Sequence, residues 1–337
     1  MESSLYLVVV ADDRFAAPLG VTLTSIFENT TGPIDVTVVL DNVSQADQDR
    51  LRKLAEQYEH RLKMIEPEFR ENYKNAKSNQ WVTKAAYYRL HMAEFLPPEA
   101  KKAIYIDTDI LCTSDLRRLW NEPLDGQPVG AVTDPTLFEK SDLGYEYDLI
   151  GTRPEDGYFN SGVMVADLEQ WRKENVAEKI LEHIIAHPKF GRFHDQSRLN
   201  AYFARRWKSL PLRYNLQARM MGIQLPGLAP TDPKLLAATL ADPVLVHFNG
   251  PVKPWQGRMF NPFKADYQKV LRNSLWRDWH PQENKLKEFR WFFGDFRRNW
   301  RQYQWCKRAR TSVVPVEYAV TQPHRAEERE LEESGRR

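Results

Sequence analysis

The amino-acid sequence predicts a soluble α/β protein in which a mainly parallel central sheet is flanked by helices and followed by a C-terminal helical extension. Three observations support this. Short β-branched runs, Leu5–Ala11 and Lys102–Ile106 among them, carry no polar alternation, as expected of strands covered on both faces. Segments of helical length separate these runs, the order expected of right-handed crossovers. The composition, 42% hydrophobic and 28% charged over 337 residues, is that of a globular chain with enough apolar residues for a large core.

In chain order, Leu5–Ala11 reads as the first strand and residues 18–27 as a helix with Pro18 in its first turn. Residues 34–40 read as a second strand. Ser44, with Asp47 three residues on, is a variant capping box opening a helix to about Glu59. A short strand follows at 62–65, a helix at 83–94 and a buried strand at 102–106. Strands are expected at 129–133, 162–166 and 245–248, and helices at 168–187 and 194–205. The prolines and glycines between Pro211 and Pro243 predict a loop-rich segment with little regular structure.

The balance of 48 basic and 46 acidic residues leaves a net charge of +2, too little to draw the whole chain to nucleic acid. Cys112 and Cys306 are too few and too far apart for a disulfide scaffold or a cysteine-based zinc site. Met1–Ser4 lacks a basic leader region, and the apolar run after it is too short to span a bilayer, so a cytoplasmic location is expected.

The chemistry is expected just past the strand at 102–106, where the chain reads Asp107-Thr108-Asp109. Residues i and i+2 of an extended segment share a face, so both carboxylates can converge on one point. Two carboxylates that close repel unless a cation or a proton lies between them. A hard divalent ion with room for phosphate oxygens, Mn²⁺ or Mg²⁺, suits such a pair. Among the eight histidines, His247, after the short run Val244–Val246, is the leading candidate for a third ligand. Imidazole in the set favours Mn²⁺.

From His247 the chain reads His-Phe-Asn-Gly-Pro-Val-Lys-Pro-Trp255, which resembles the His-x-x-Gly-x-x-Lys-Pro-Trp signature of glycosyltransferase family 8. That family includes lipooligosaccharide galactosyltransferases and glycogenin. Val10-Ala-Asp-Asp13, Tyr88-Arg-Leu90, Tyr105-Ile-Asp-Thr-Asp109, Phe159-Asn-Ser-Gly-Val163 and His194-Asp-Gln196 are similar to its other motifs and occur in the same order. The resemblance implies a GT-A nucleotide-binding fold, a UDP-sugar donor and retention of anomeric configuration. It implies that Asp107, Asp109 and His247 hold Mn²⁺, with Mg²⁺ as the second choice, and that Val10, Ala11, Asp12, Val82 and Thr108 lie around the nucleotide. Arg89 is implied to reach the sugar or the phosphates, Lys253 to add positive charge at the pyrophosphate, and Gly250 to allow close backbone approach. Asn160, Ser161, Asp195 and Gln196 are implied to line the sugar pocket, with Gln196 and Asp195 as the catalytic pair. Arg14 departs from the family, whose galactosyltransferases carry asparagine there, and it stays outside the core site. No second carboxylate stands beside Gln196 for a double displacement, which favours a front-face reaction. The expected acceptor is a glycan or lipid-linked saccharide bound near residues 212–230, and the sugar is galactose or glucose. A haloacid dehalogenase-type phosphotransferase and a non-catalytic sugar-nucleotide scaffold are the alternatives.

Residues 285–310 carry a net charge of +7 and eight aromatics, while the rest of the chain carries −5. Phe289, Phe293, Phe296, Trp300 and Tyr303 recur at helical spacing. A core helix, a nucleic-acid site and an in-plane membrane helix all fit this pattern. A lipid-linked acceptor favours an anionic membrane surface meeting residues 285–305. The expected organisation is a catalytic domain at 1–280, a basic aromatic extension at 281–310 and a disordered tail at 311–337.

Overall fold

The computed structural model describes residues 4–68, 73, 84–135, 153, 156–187, 191, 193–222, 232–250, 252–256, 259–281 and 296–311. Ten strands are present among them: β1 (Leu5–Asp12), β2 (Ile34–Asp41), β3 (Arg61–Ile65), β4 (Lys102–Ile106), β5 (Ile110–Cys112), β6 (Val129–Thr133), β7 (Phe159–Asp167), β8 (Lys208–Ser209), β9 (Leu216–Gln217) and β10 (Leu245–His247). Seven form one sheet in the order β3-β2-β1-β4-β7-β6-β8. All its pairings are parallel except those of β7, which is antiparallel to both β4 and β6. A second sheet, β5-β10-β9, pairs β10 antiparallel to β5 and parallel to β9.

The period of two in β1 divides the core. Leu5, Leu7, Val9 and Ala11 face one apolar layer with the Ala16–Asn29 and Gln45–Gln57 helices and the second sheet. Val8 and Val10 face another, with Tyr87, Tyr88 and the helices at 168–174, 176–186 and 195–202. As the capping box predicts, the Ser44 side chain accepts from the Asp47 backbone N–H.

Several expectations need correction. Residues 168–187 form two helices, because Asn175 adopts a left-handed conformation with φ 52° and closes Leu168–Glu174 before Val176–Ala186 begins. Residues 84–91 form a 3₁₀ segment that becomes α-helical only at Met92–Phe95. The segment expected to lack regular structure holds β9 and a helix, Pro233–Ala241, with Asp232 as its cap and proline in its first turn. Val82, Phe289, Phe293 and the tail beyond Thr311 lie outside the described residues.

In the C-terminal helix, Phe296–Thr311, Cys306 and Ala309 are buried against the domain, and Tyr303 and Trp300 both meet Phe260. Arg310 bonds to Asp266 and the Pro262 carbonyl and lies 4.2 Å above the Phe263 ring. Tyr303, a member of the aromatic stripe, is therefore turned to the protein, as the core-helix reading of that stripe expects. Residues 300, 301, 307 and 308 remain exposed.

Gly20 shows how closely the first helix is packed. A Cβ there would lie 2.2 Å from Trp276 Cε3, and Trp276 is buried with its Nε1–H donated to Asp47 Oδ1 at 2.7 Å. Alanine in a helix is normally favoured over glycine by about 1 kcal/mol. Here the clash reverses the sign: Gly20→Ala is expected to destabilise the fold by about 1–3 kcal/mol, measured by urea unfolding.

Candidate functional site

The carboxyl ends of β1 and β4 open into a cavity of about 340 Å³. Because β7 runs the other way, its first residues, Asn160–Gly162, stand over the end of β4, and the Asp107 N–H donates to the Gly162 carbonyl at 2.8 Å. The turn at 107–109 leads straight into β5. The Thr22 hydroxyl holds this turn from the first helix, 2.9 and 2.8 Å from the carbonyl oxygens of Thr108 and Ile110. The second sheet delivers the histidine: His247 pairs with Ile110 across β10 and β5, and the Phe248 N–H donates to the Asp109 carbonyl at 3.0 Å.

One ligand atom from each of Asp107, Asp109 and His247 falls within 4.8 Å of the others. His247 Nε2 lies 3.2 Å from Asp109 Oδ1 and 3.8 Å from Asp107 Oδ2. Gly162 is required for this closeness, since a Cβ there would lie 2.3 Å from His247 Cε1 and 2.7 Å from Asp107 Oδ2. Two carboxylates and an imidazole suit a divalent cation of the Mn²⁺ or Mg²⁺ class.

Positive charge surrounds the pair. Lys253 Nζ donates to Asp109 Oδ2 at 2.5 Å and to the Phe248 carbonyl at 3.1 Å. Burial pushes the Asp109 carboxyl up, but Lys253 and His247 outweigh it and hold the group well below the usual carboxylate range. Arg89 is buried, its charge opposed by desolvation but held by Asp107 at 3.0 Å and Asp195 at 3.1 Å. It also donates to the Ser161 carbonyl at 3.0 Å and lies 4.5 Å above the Tyr105 ring. Tyr105 in turn donates to Asp107 Oδ1 at 2.8 Å. Arg89 thus lines the cavity as a fixed clamp between two carboxylates.

The other expected residues divide into two layers. Val10, Ala11, Asp12, Thr108, Asn160, Gly250 and Lys253 line the cavity. Gly250 has φ 109°, a conformation that favours glycine. Arg14 folds back onto Asp12 at 3.1 Å. Ser161, Asp195 and Gln196 are buried one layer behind Asn160. Gln196 Oε1 accepts from the Ser161 N–H at 3.0 Å and from Asn160 Nδ2 at 3.2 Å, and its Nε2 donates to Asp134 Oδ2 at 3.1 Å. Burial raises the Asp195 carboxyl, and Arg89 opposes that rise.

The profile of glycosyl transferase family 8 matches residues 6–258. The chain belongs to glycosyltransferase family 8. General stress protein A of Bacillus subtilis (strain 168) is 31% identical over 278 residues, covering 81% of this chain and 94% of its own. The lipopolysaccharide 1,2-glucosyltransferase of Escherichia coli (strain K12) is 26% identical over 280 residues, covering 81% and 79%. Among solved structures, the galactosyltransferase LgtC in complex with donor and acceptor sugar analogues matches with a TM-score of 0.67 at 22% identity, covering 81% of this chain and 99% of that one. The shared fold is GT-A, and family membership removes the phosphotransferase alternative.

Sequence reasoning missed several residues of this family 8 site. Asp134 follows the carboxyl end of β6, so the rule that led to Asp107 could have found it. Asn215 and the cavity-lining Arg219 lie in the segment expected to be loop, where no periodic signal marks them. Asn249 also lines the cavity, its Nδ2 donated to Gln217 at 3.1 Å and its Oδ1 buried without a hydrogen-bond partner. Trp255, the last residue of the signature, packs among Phe15, Tyr267 and Trp279 and anchors the loop that carries Lys253. Gly162→Ala is expected to separate His247 from Asp107 and to lower divalent-metal affinity at least about 10-fold while the protein stays folded, read by isothermal titration with Mn²⁺ beside circular dichroism.

Proposed function

We propose that this glycosyltransferase moves a hexose, galactose or glucose, from a UDP-sugar to a glycan or lipid-linked saccharide, with retention and with Mn²⁺ (Mg²⁺ as substitute) held by Asp107, Asp109 and His247. The carrying observation is the carboxylate–carboxylate–imidazole cluster on the wall of a cavity also lined by Val10, Ala11, Asp12, Gly250 and Lys253. When bound, the cation neutralises charge that develops on the departing diphosphate.

The chain's own residues supply the rest. Val10, Ala11 and Asp12 line the nucleotide end, with Val82 proposed on its other side and Thr108 beneath. Lys253 exchanges Asp109 for the diphosphate and adds a second positive charge there, and Gly250 admits the phosphates close to the backbone. Arg89 holds Asp107 and Asp195 in place through its two ion pairs. Asn160 discriminates sugar hydroxyls by hydrogen bonding, with Ser161 and Asp195 buried behind it as its support. The unpartnered Asn249 Oδ1 offers a further acceptor to a substrate hydroxyl. Gln196, its amide oxygen held toward the Asn160 wall, steadies positive charge at the anomeric carbon, and the departing phosphate takes the acceptor's proton. Relatives whose names state lipopolysaccharide glucosyl or galactosyl transfer support this donor and acceptor class.

The expected assay outcome is release of UDP from UDP-glucose or UDP-galactose in the presence of Mn²⁺, abolished by EDTA and by Asp109→Asn. Gln196→Ala is expected to lower kcat by about 100-fold with UDP affinity nearly unchanged. Activity that survives EDTA and Asp109→Asn refutes the proposal.

A peripheral position at the inner face of the membrane is part of the same proposal. Among the described residues no helix is long and apolar enough to cross a bilayer. The outward side of the Phe296–Thr311 helix carries Trp300, 44% exposed, with Arg301, Lys307 and Arg308. An aromatic beside basic residues suits an anionic headgroup region. Full-length protein is expected to float with anionic liposomes and protein lacking residues 285–337 to stay behind; equal recovery refutes it.

A further inference from the structure

Gln196, Asn160, Asn215 and His247 form a chain of hydrogen bonds whose direction is set by two backbone N–H groups, which can only donate. The Ser161 N–H donates to Gln196 Oε1 and the Gly162 N–H to Asn160 Oδ1, each at 3.0 Å. These two bonds define which end of each amide is oxygen. Asn160 therefore turns Nδ2 to Asp134 Oδ2 at 2.9 Å and to Gln196 at 3.2 Å. Because Asn160 Oδ1 is an acceptor, the Asn215 atom facing it at 2.9 Å is the donor Nδ2. The other end of that amide, Oδ1, faces His247 Nδ1 at 3.0 Å. An amide oxygen only accepts, so Nδ1 carries a proton. Asn215 is 0% exposed, which leaves no solvent to replace either bond.

We propose that Asn215 is a positioning residue that keeps His247 protonated at Nδ1, so that Nε2 is always the nitrogen presented to Asp107 and Asp109. The opposite tautomer sets the bare Nδ1 against Asn215 Oδ1, two acceptors in a buried contact. The ring cannot correct this by rotating Asn215, because Asn160 and the strand backbone behind it hold that amide in one sense. The relay ties the geometry of β7 to the ring that β10 supplies, and it orients the ring without touching the cation. Its effect on metal affinity rests on the proposed function; the position of the proton does not.

The test is long-range ¹H–¹⁵N correlation on histidine-labelled full-length protein, with the His247 signal assigned by its loss in His247→Gln. Nδ1 is expected to appear as a protonated nitrogen both in metal-free protein and with Mg²⁺ bound. Asn215→Leu, similar in volume and without polar atoms, is expected to lose that signature and to weaken Mn²⁺ binding, read by electron paramagnetic resonance of free Mn²⁺ with UDP present, by about 10- to 100-fold. Asn215→Asp keeps an acceptor for Nδ1 but loses the donor to Asn160, and is expected to retain the protonated-Nδ1 signature that Asn215→Leu loses; a spectrum like that of the leucine variant overturns the inference. A wild-type ring with bare Nδ1 and protonated Nε2 overturns the inference, and so does Asn215→Leu with an unchanged signature and affinity. The wild-type spectrum decides the proton position even if the leucine variant fails to fold. Wild-type protein that binds no Mn²⁺ sinks the proposed function instead and leaves the proton position to be judged on its own spectrum.

Discussion

Crowding of like charge governs this molecule. Asp107 and Asp109 are placed where both carboxylates face one small volume, and repulsion between such groups is worth about 4 kcal/mol at the effective dielectric of a partly buried site. A chain that accepts this cost must surround the pair with positive charge or hold a cation there. The structure supplies Lys253 on one carboxylate, Arg89 on the other and an imidazole beside both. Tyr105 adds a hydrogen bond to Asp107, and Gly162 leaves out the one carbon that would push the cluster apart. Each is explained by the same constraint, although the five groups come from four separate segments of the chain.

The scaffold makes that convergence possible through an exchange between two sheets. The main sheet ends β4 at Ile106, and within three residues the chain enters β5 in the second sheet. The acidic turn is thus the seam between the sheets. β10 pairs with β5 and brings a ring from more than 130 residues away to that seam. β7, the one strand of the main sheet running against its neighbours, lays Asn160–Gly162 across the same point. The antiparallel strand is therefore what places Asn160, Ser161 and Gly162 within hydrogen-bonding distance of Asn215, Arg89 and Asp107. The aromatic cluster around Trp255 fixes the remaining side by anchoring the loop of Lys253.

Local periodicity determined much of this protein. The buried runs of β1, β4 and β6, the Ser44 cap and the acidic triplet after a strand are all one-dimensional signals, because strand period, capping and carboxylate spacing act over a few residues. The family signature from His247 to Trp255 likewise carries its meaning in adjacent positions. Long-range pairing settled what such signals cannot encode. β5 and β9 are too short to register as strands, and they exist because β10 lies between them. Asn175 breaks one expected helix into two by a backbone angle that apolar spacing does not reveal. Asn215 and Asp134 are ordinary polar residues in sequence and become parts of the site only through partners 55 and 26 positions away. Arg89 was legible as a site residue but not as a clamp, because its two carboxylate partners meet it only when separate strands and helices are brought together. Chain-local forces thus determined where strands end and where acidic and basic groups collect, while the tertiary fold decided which of those groups share a buried volume, since only packing removes the water that would otherwise let each be satisfied alone.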